Sequence, residues 1–218
     1  AGGSAGHARG TGLINLAARL DHIEPFYVME CAKAAQEIAR SPLCDPARGG
    51  RPMIYLNIGE PDFTAAPAVV AAAKRCMAAG RTQYTQATGL PALREAIAAW
   101  YSTRFGVDVA GSRIVVTAGA SAALQLATLA LIDDGDELLL PDPSYPCNRH
   151  FVAAAGGRAM LLPAGPEHRF QLDADAVERA WGPHTRGVLL ASPSNPTGTS
   201  IERSEMLRIV QAVRARGG

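Results

Sequence analysis

The chain has 218 residues, of which 48% are hydrophobic and 19% are charged, and its formal net charge at pH 7 is +1. This composition predicts a folded protein that can bury a sizeable core. The near-neutral charge gives no electrostatic reason to expect nucleic acid or an anionic membrane surface as a partner. No apolar run reaches the length of a transmembrane span, so we expect no membrane partner.

The four cysteines are widely separated in sequence, and they form no C-x-x-C pair. No histidine lies at metal-ligand spacing from a cysteine or from another histidine. We therefore expect reduced structural thiols, a cytoplasmic protein and no metal site. Residues 1–12 are rich in glycine and lack an apolar signal core, which predicts a flexible leader.

The first half of the chain is mainly helical by its apolar spacing. Predicted helices cover residues 25–40, 67–79 and 91–105. Pro67 and Pro91 occupy the favoured first position of a helix, and Gly80 and Gly106 are placed to end one. A short apolar run at 53–58, MIYLNI, predicts a strand that leads into a Gly/Pro turn.

Strands and helices alternate from residue 113 onward. Predicted strands cover 113–117, 137–140, 158–162 and 187–191. Predicted helices cover 120–132, 147–155, 173–181 and 202–216, and the first of them is so apolar that we expect it to be buried. The alternation predicts an α/β protein of three αβα layers with a mainly parallel sheet. Because no strand follows the last helix, we expect this sheet to be incomplete at the C-terminus.

Three turns follow predicted strands, and the carboxyl ends of parallel strands meet at one crevice. At 117–122 small residues lead into a helix whose N–H groups, together with the Ser121 hydroxyl, suit a phosphate. At 141–146 the rigid PDPSYP turn presents Tyr145, whose ring can stack on a planar ligand. At 192–198 the SPSNPTG turn presents the Asn195 amide on a stiff backbone.

Each turn also has a purely structural explanation. The small residues at 117–122 can serve close packing of a helix on a strand, and Tyr145 can simply cover the sheet edge. The turn that holds Asn195 can be an ordinary Pro/Gly connection. Taken together, however, a phosphate cradle, a stacking aromatic ring and an amide donor describe a site for a phosphorylated aromatic cofactor.

The sequence resembles the fold-type-I aminotransferases of the class I/II group, which use pyridoxal 5′-phosphate (PLP). Six motifs occur in the family's order: PFYVME (25–30), LNIGEPDF (56–63), YTQATGLPALREAIA (84–98), TAGASAALQLA (117–127), PDPSYP (141–146) and SPSNPTGT (192–199). The resemblance covers about residues 13–218. It implies that 13–60 contributes to a small domain and dimer arm, and that 61–218 is part of a PLP-binding large domain.

The resemblance also implies roles for individual residues. Ala120 and Ser121 match the positions that bind the cofactor phosphate, and Tyr145 matches the aromatic residue on the pyridine ring. Asn195 matches the asparagine that hydrogen-bonds the phenolate oxygen of the ring, next to the substrate, a contact that tunes the cofactor's electronics.

Two further positions match residues that, in the family, contact the substrate or the cofactor of the other subunit. Gly59 matches the glycine whose backbone lies against the substrate near its carboxylate. Tyr84 matches the tyrosine that reaches across a homodimer to the cofactor phosphate of the other subunit.

Three groups that the family needs have no match in this chain. The Schiff-base lysine, the aspartate beside the pyridine nitrogen and the arginine that clamps the substrate carboxylate all lie beyond the SNPTG turn. The only lysines are Lys33 and Lys74, both on predicted helices, where we expect solvated surface side chains. We therefore name no catalytic residue and expect a truncated chain that is inactive alone.

The function implied by the resemblance is amino-group transfer between an amino acid and a 2-oxo acid, with a neutral or apolar amino acid as the substrate. Two alternatives remain open at this point. One is a PLP-dependent lyase or synthase of the same fold, and the other is a non-catalytic, truncated or degenerate homologue.

Overall fold

The computed structural model describes residues 15–218, and the contacts within it divide the chain into two compact units. One unit combines the described residues up to Phe26 with Gly119–Gly218, and the other is Tyr27–Ala118. The predicted leader at 1–12 lies outside the described residues. The assignment of 13–60 to a small domain and of 61–218 to a large one stays a prediction.

The unit Tyr27–Ala118 contains three helices, α1 (Tyr27–Ala39), α2 (Pro67–Ala78) and α3 (Pro91–Phe105). Proline is the first residue of both α2 and α3, as predicted. Helix α3 ends at Gly106, which adopts the left-handed conformation with φ of 63°. The local start and stop signals in the sequence therefore define these two helices correctly.

The two strands predicted in this unit are absent, and both predictions are wrong. Residues 53–58 form an irregular segment in which Ile54 is 78% exposed and Leu56 is 89% exposed. Residues 114–117 follow a short 3-10 turn, Gly111–Arg113, and form no strand. A strand exists only through hydrogen bonds to a neighbouring strand, and among residues 15–218 no strand pairs with either segment.

The other unit is built on a sheet of three parallel strands in the order β2–β1–β3. The strands are β1 (Glu137–Asp142), β2 (Arg158–Pro163) and β3 (Thr185–Val188). The parallel α/β architecture is confirmed, with three strands rather than the four predicted. Strand β3 starts two residues earlier than expected, and Leu189 N continues its pairing by donating to Leu139 O at 2.9 Å.

Four helices belong to this unit: α4 (Gly119–Leu131), α5 (Cys147–Ala154), α6 (Ala174–Ala180) and α7 (Arg203–Arg214). Leu139 of β1 is fully buried in a core with Val177 of α6 and Ile209 of α7. The adjacent Leu140 is also fully buried and points to the opposite face of the sheet. The sheet thus has apolar packing on both faces, as a three-layer fold requires.

Helix α6 is held at its first turn by two carboxylates. Asp173 accepts a hydrogen bond from Ala176 N at 2.6 Å and caps the helix, as predicted. Glu205 of α7 accepts from Ala174 N at 2.7 Å. The side chain of Glu205 thereby joins the start of α6 to α7.

The expected burial of helix α4 is wrong. Thr128 is its only buried residue, whereas Leu126, Leu129 and Leu131 are 55%, 56% and 66% exposed. The apolar sequence indicates that this helix gains free energy when it is covered. Within the part of the chain that the structure describes, no surface covers that face.

Candidate functional site

The predicted site residues of the sheet unit lie at the carboxyl edge of the sheet. Tyr145 follows β1, and Asn195 follows β3, which is the neighbour of β1 in the sheet. The parallel pairing directs the ends of both strands to the same edge, where ligands bind in sheets of this kind.

Helix α4 presents an open first turn. It begins at Gly119, whose φ of 82° favours glycine, and continues with Ala120 and Ser121, both exposed to solvent. The first turn of a helix directs backbone N–H groups outward and carries a partial positive charge. The arrangement suits an anionic group such as a phosphate.

Tyr145 is half-buried, and its hydroxyl contacts two side chains from different elements. A hydrogen bond with the Cys147 thiol is the largest cause that raises the pKa of the Tyr145 phenol above its usual value, and burial adds to it. The Ser121 hydroxyl also hydrogen-bonds the phenol, and this contact acts in the opposite direction. The structure therefore brings Ser121 of α4 and Tyr145 into contact.

The ring of Tyr145 is also held from one side by an aromatic neighbour. Phe26 packs edge-on against it, with 6.2 Å between the ring centroids and 69° between the ring planes. Edge-on packing is one of the two arrangements that aromatic pairs prefer. The orientation of the Tyr145 ring is thus fixed by its hydroxyl contacts and by Phe26.

The SPSNPTG turn is a closed loop with its own hydrogen bonds. Ser194 N donates to Thr199 O at 2.8 Å, and Gly198 N donates to Ser194 O at 2.8 Å. Gly198 has a φ of 70°, a conformation that glycine adopts at little cost. Ser194 is buried, whereas Asn195 is exposed at the tip. The loop backbone is therefore ordered by these bonds while the Asn195 amide faces solvent.

Gly59 and Tyr84 belong to the unit Tyr27–Ala118 and are described by themselves. Gly59 lies in an irregular segment, with open space where a side chain would be. Tyr84 is fully exposed in a polar loop. Their implied roles near the substrate and at a homodimer interface stay predictions.

Both lysines lie on helix surfaces of that same unit. Lys33 on α1 pairs with Glu30 at 2.7 Å and is mostly exposed. Lys74 on α2 is exposed as well. Neither follows a strand, which agrees with the prediction that both are solvated surface residues.

A cavity of about 660 Å³ lies at the opposite edge of the sheet, beside the amino end of β2. Its charged lining residues are Arg19, Asp134, Arg149 and Arg158. The turns that follow the strands do not line it, so it is distinct from the candidate site. None of the described residues forms a cluster suited to a metal ion, and none of the helices in 15–218 is long and apolar enough to span a bilayer.

Residues 51–218 match the family described as aminotransferase class I and II. The chain belongs to this family. It is 38% identical over 187 residues to a valine–pyruvate aminotransferase of Mycobacterium tuberculosis, a match that covers 86% of this chain and 46% of the relative. It is 32% identical over 194 residues to an aspartate/prephenate aminotransferase of Cereibacter sphaeroides, with 89% of this chain and 46% of the relative covered.

Solved structures of aminotransferases have the same fold. An aminotransferase from Mycobacterium tuberculosis superimposes with a TM-score of 0.83 at 37% identity, covering 93% of this chain and 50% of that one. The aspartate aminotransferase of Thermus thermophilus with maleate gives a TM-score of 0.84 at 29% identity, covering 93% and 51%. The chain thus spans about half the length of the aminotransferases that it matches.

Three contacts of the candidate site were not predicted from the sequence. They are made by Phe26, by Cys147 and by Gln171, whose amide binds both ends of residues 191–199, the Asn195 loop. Phe26 lies within the PFYVME motif, which could have suggested a role. Cys147 lies two residues after Tyr145, and Gln171 lies in a segment without any motif, so neither carried a signal.

Proposed function

We propose that the protein containing this chain is a PLP-dependent aminotransferase that transfers an amino group between an amino acid and a 2-oxo acid. The family membership supports the reaction class. The observation that carries the assignment of the site is the contact between Ser121 and Tyr145, which joins the open start of α4 to the turn after β1. It supports a helix start suited to an anion beside an aromatic ring, as a phosphorylated ring compound requires.

The residues of this edge fit the cofactor in their chemistry. The exposed first turn of α4, with Ala120 and Ser121, offers N–H groups and a hydroxyl to a phosphate. Tyr145 offers a half-buried ring for stacking, and Asn195 offers an exposed amide donor to a ring oxygen. When bound, PLP supplies an electron sink for bonds at the amino-acid carbon.

The chain's own contribution to this reaction is binding and orientation. Ser121 would hold the phosphate. Its contact with Tyr145 would also link the phosphate site to the aromatic side chain that stacks on the cofactor ring. The Tyr145 phenol has a raised pKa and stays protonated at neutral pH, so it presents a neutral surface to the ring. Asn195 would donate to the ring's phenolate oxygen and stabilise its negative charge.

The substrate and assembly are further parts of the proposal. We propose a neutral amino acid as the amino donor, supported by the 38% identity to a valine–pyruvate aminotransferase. Gly59 would lie beside the substrate carboxylate. Tyr84, which is fully exposed, would reach the cofactor phosphate of a second subunit in a homodimer.

Binding of pyridoxamine 5′-phosphate, followed by fluorescence, tests the cofactor site without requiring turnover. We expect Ser121→Ala and Asn195→Ala each to weaken binding by about tenfold, because each removes a hydrogen bond to a charged group. Ser204→Ala, on the exposed side of α7, is the matched control and should bind as the unsubstituted protein does. Equal affinities for all four proteins would contradict the proposed site.

Amino transfer is tested by mass spectrometry of the products. The intact protein is mixed with PLP, pyruvate and either valine, aspartate or phenylalanine. We expect alanine to form fastest with valine. A protein that binds pyridoxamine phosphate but releases ammonia, or forms no alanine with any donor, would instead support the lyase or non-catalytic alternatives.

A further inference from the structure

Gln171 is a buried polar residue outside every motif that the resemblance uses. It lies between the 3-10 turn Pro166–His168 and helix α6, and the residue is 6% exposed. A buried carboxamide must hydrogen-bond to offset the loss of water. Its partners therefore show what this side chain does in the fold.

The Nε2 atom of Gln171 lies within hydrogen-bond distance of three oxygens at the two ends of the Asn195 loop. It donates to Thr199 O at 2.8 Å and is 3.2 Å from both Ala191 O and Thr199 Oγ1. Its two hydrogens are thus shared among three acceptors. A single carboxamide bridges the residue that enters the loop and the residue that leaves it.

This bridge is connected directly to the backbone bonds that close the loop. Thr199 O accepts from Gln171 and also from Ser194 N at 2.8 Å. Ser194 O in turn accepts from Gly198 N. Asn195 lies between these bonded residues and is exposed, so the position of its amide depends on the backbone that Gln171 restrains.

We propose that Gln171 is a positioning residue, whose carboxamide clamps residues 191 and 199 so that the Asn195 amide is held toward the ring of the ligand. The inference rests on the proposed function for the identity of that ligand. The clamp itself is a property of this chain and is measurable without any ligand.

The two atoms of the carboxamide have different surroundings, which makes substitution informative. Gln171 Oε1 is buried and has no hydrogen-bond partner among the described residues, so the clamp depends on Nε2 alone. Gln171→Met keeps the length of the side chain and removes the donor. Gln171→Glu replaces the donor by an oxygen facing the Thr199 and Ala191 carbonyls. Gln211→Met, on the exposed side of α7, is the matched control.

The first measurement is amide hydrogen exchange in the absence of cofactor. We expect Gln171→Met to accelerate exchange of the Ser194 and Gly198 amide hydrogens by about fivefold to tenfold. This is the size of effect expected when one hydrogen bond is lost. The backbone amides that pair β1 with β2 should exchange at an unchanged rate. Gln211→Met should alter the exchange rate in neither region. Unchanged exchange at Ser194 and Gly198 would overturn the clamp.

The second measurement is a double-mutant cycle on pyridoxamine 5′-phosphate affinity. We expect Gln171→Met to weaken binding about fivefold, and to have less than about a twofold effect in an Asn195→Ala background. An equal effect in both backgrounds would show that Gln171 acts on packing and not through Asn195, and would overturn the positioning role. So would faster loop exchange with unchanged affinity.

The two measurements separate this inference from the function on which it rests. If the unsubstituted protein does not bind pyridoxamine phosphate, the proposed function fails and the positioning role fails with it. The exchange rates then still decide whether Gln171 clamps the loop. If binding is normal and Gln171→Met matches the control in both measurements, only the inference about Gln171 is overturned.

Discussion

Phe26 packs edge-on against Tyr145, with ring centroids 6.2 Å apart, although the two residues are far apart in sequence. The contact joins the segment before α1 to the turn after β1. Tyr145 is the residue that the proposed site uses to stack on a ring, so its orientation matters for ligand affinity. Aromatic pairs contribute about 0.5–1.5 kcal/mol beyond the area that they bury.

Replacing Phe26 by leucine should therefore weaken ligand binding while keeping an apolar side chain in place. We expect Phe26→Leu to raise the dissociation constant for pyridoxamine 5′-phosphate by about twofold to tenfold. Phe105→Leu is the matched control, because Phe105 pairs with Trp100 in the other unit at 5.0 Å. Equal affinities for Phe26→Leu and Phe105→Leu would show that Phe26 does not orient Tyr145.

The raised pKa of Tyr145 predicts an alkaline transition that depends on Cys147. The thiol hydrogen bond is the largest cause of the shift from the usual value of 10.0, so Cys147→Ala should lower the pKa of Tyr145. The measurement is the ultraviolet absorbance of tyrosinate against pH, with Tyr145→Phe subtracted. Cys76→Ala, an exposed cysteine of α2, is the control.

The same shift has a defined sign for stability. The folded state holds the phenolic proton more tightly than the unfolded state does, so its contribution is complete below pH 10.0 and is lost as the pH rises through the raised pKa. The free energy of unfolding of Cys147→Ala should consequently fall less steeply above that pH. A parallel decline in both proteins would contradict the role of the thiol.

His150 predicts a loss of stability on the acid side. Burial, followed by the charge of Arg149, lowers its pKa below the usual 6.5, although Glu24 and the backbone of His22 act in the opposite direction. The neutral imidazole is favoured in the fold, so its contribution is complete above pH 6.5 and is lost as the pH falls through the lowered pKa.

Urea unfolding at about pH 8 and about pH 5 measures this contribution. We expect His150→Gln to lose less free energy of unfolding between the two pH values than the unsubstituted protein does. His184→Gln, at an exposed position, is the control. The prediction fails if His150→Gln and His184→Gln have the same pH dependence.

Leu139 tests where the core of the sheet unit lies. Its side chain is completely buried between β1 and helices α6 and α7. Leu139→Ala should lower the free energy of unfolding by about 2–5 kcal/mol, from lost burial and the cavity that remains. Leu207→Ala, at a leucine of α7 that is 52% exposed, should cost less than about 1 kcal/mol. Urea unfolding of both variants measures the difference, and similar costs would place the core elsewhere.

The sequence predicted the helix ends well because their signals are local. Pro67 and Pro91 begin helices for reasons of backbone geometry, and Gly106 ends one by adopting a left-handed conformation. Asp173 caps α6 through a bond to a residue three positions away. Each of these depends on chemistry within one turn of the chain.

The candidate site was predictable only where a residue followed a recognisable strand or helix start. Ser121, Tyr145 and Asn195 could be expected at one edge because parallel strands end there. The contacts of Phe26, Cys147 and Gln171 with this site were not predictable. Phe26 and Gln171 contact residues that are far away in the sequence. Cys147 is only two residues from Tyr145, but this proximity does not show that its thiol points back toward the Tyr145 hydroxyl.

The sequence by itself determined the family motifs, the helix boundaries and the parallel alternation from residue 137 onward. Only the tertiary structure decided that 137–142 is a strand while 53–58 is not, and that α4 keeps an exposed apolar face. Both depend on what lies opposite. A strand needs a neighbour that completes its hydrogen bonds, and an apolar face is buried only by a surface that covers it. The Asn195 loop follows the same rule, because the amide that bridges its ends comes from Gln171, outside the motif.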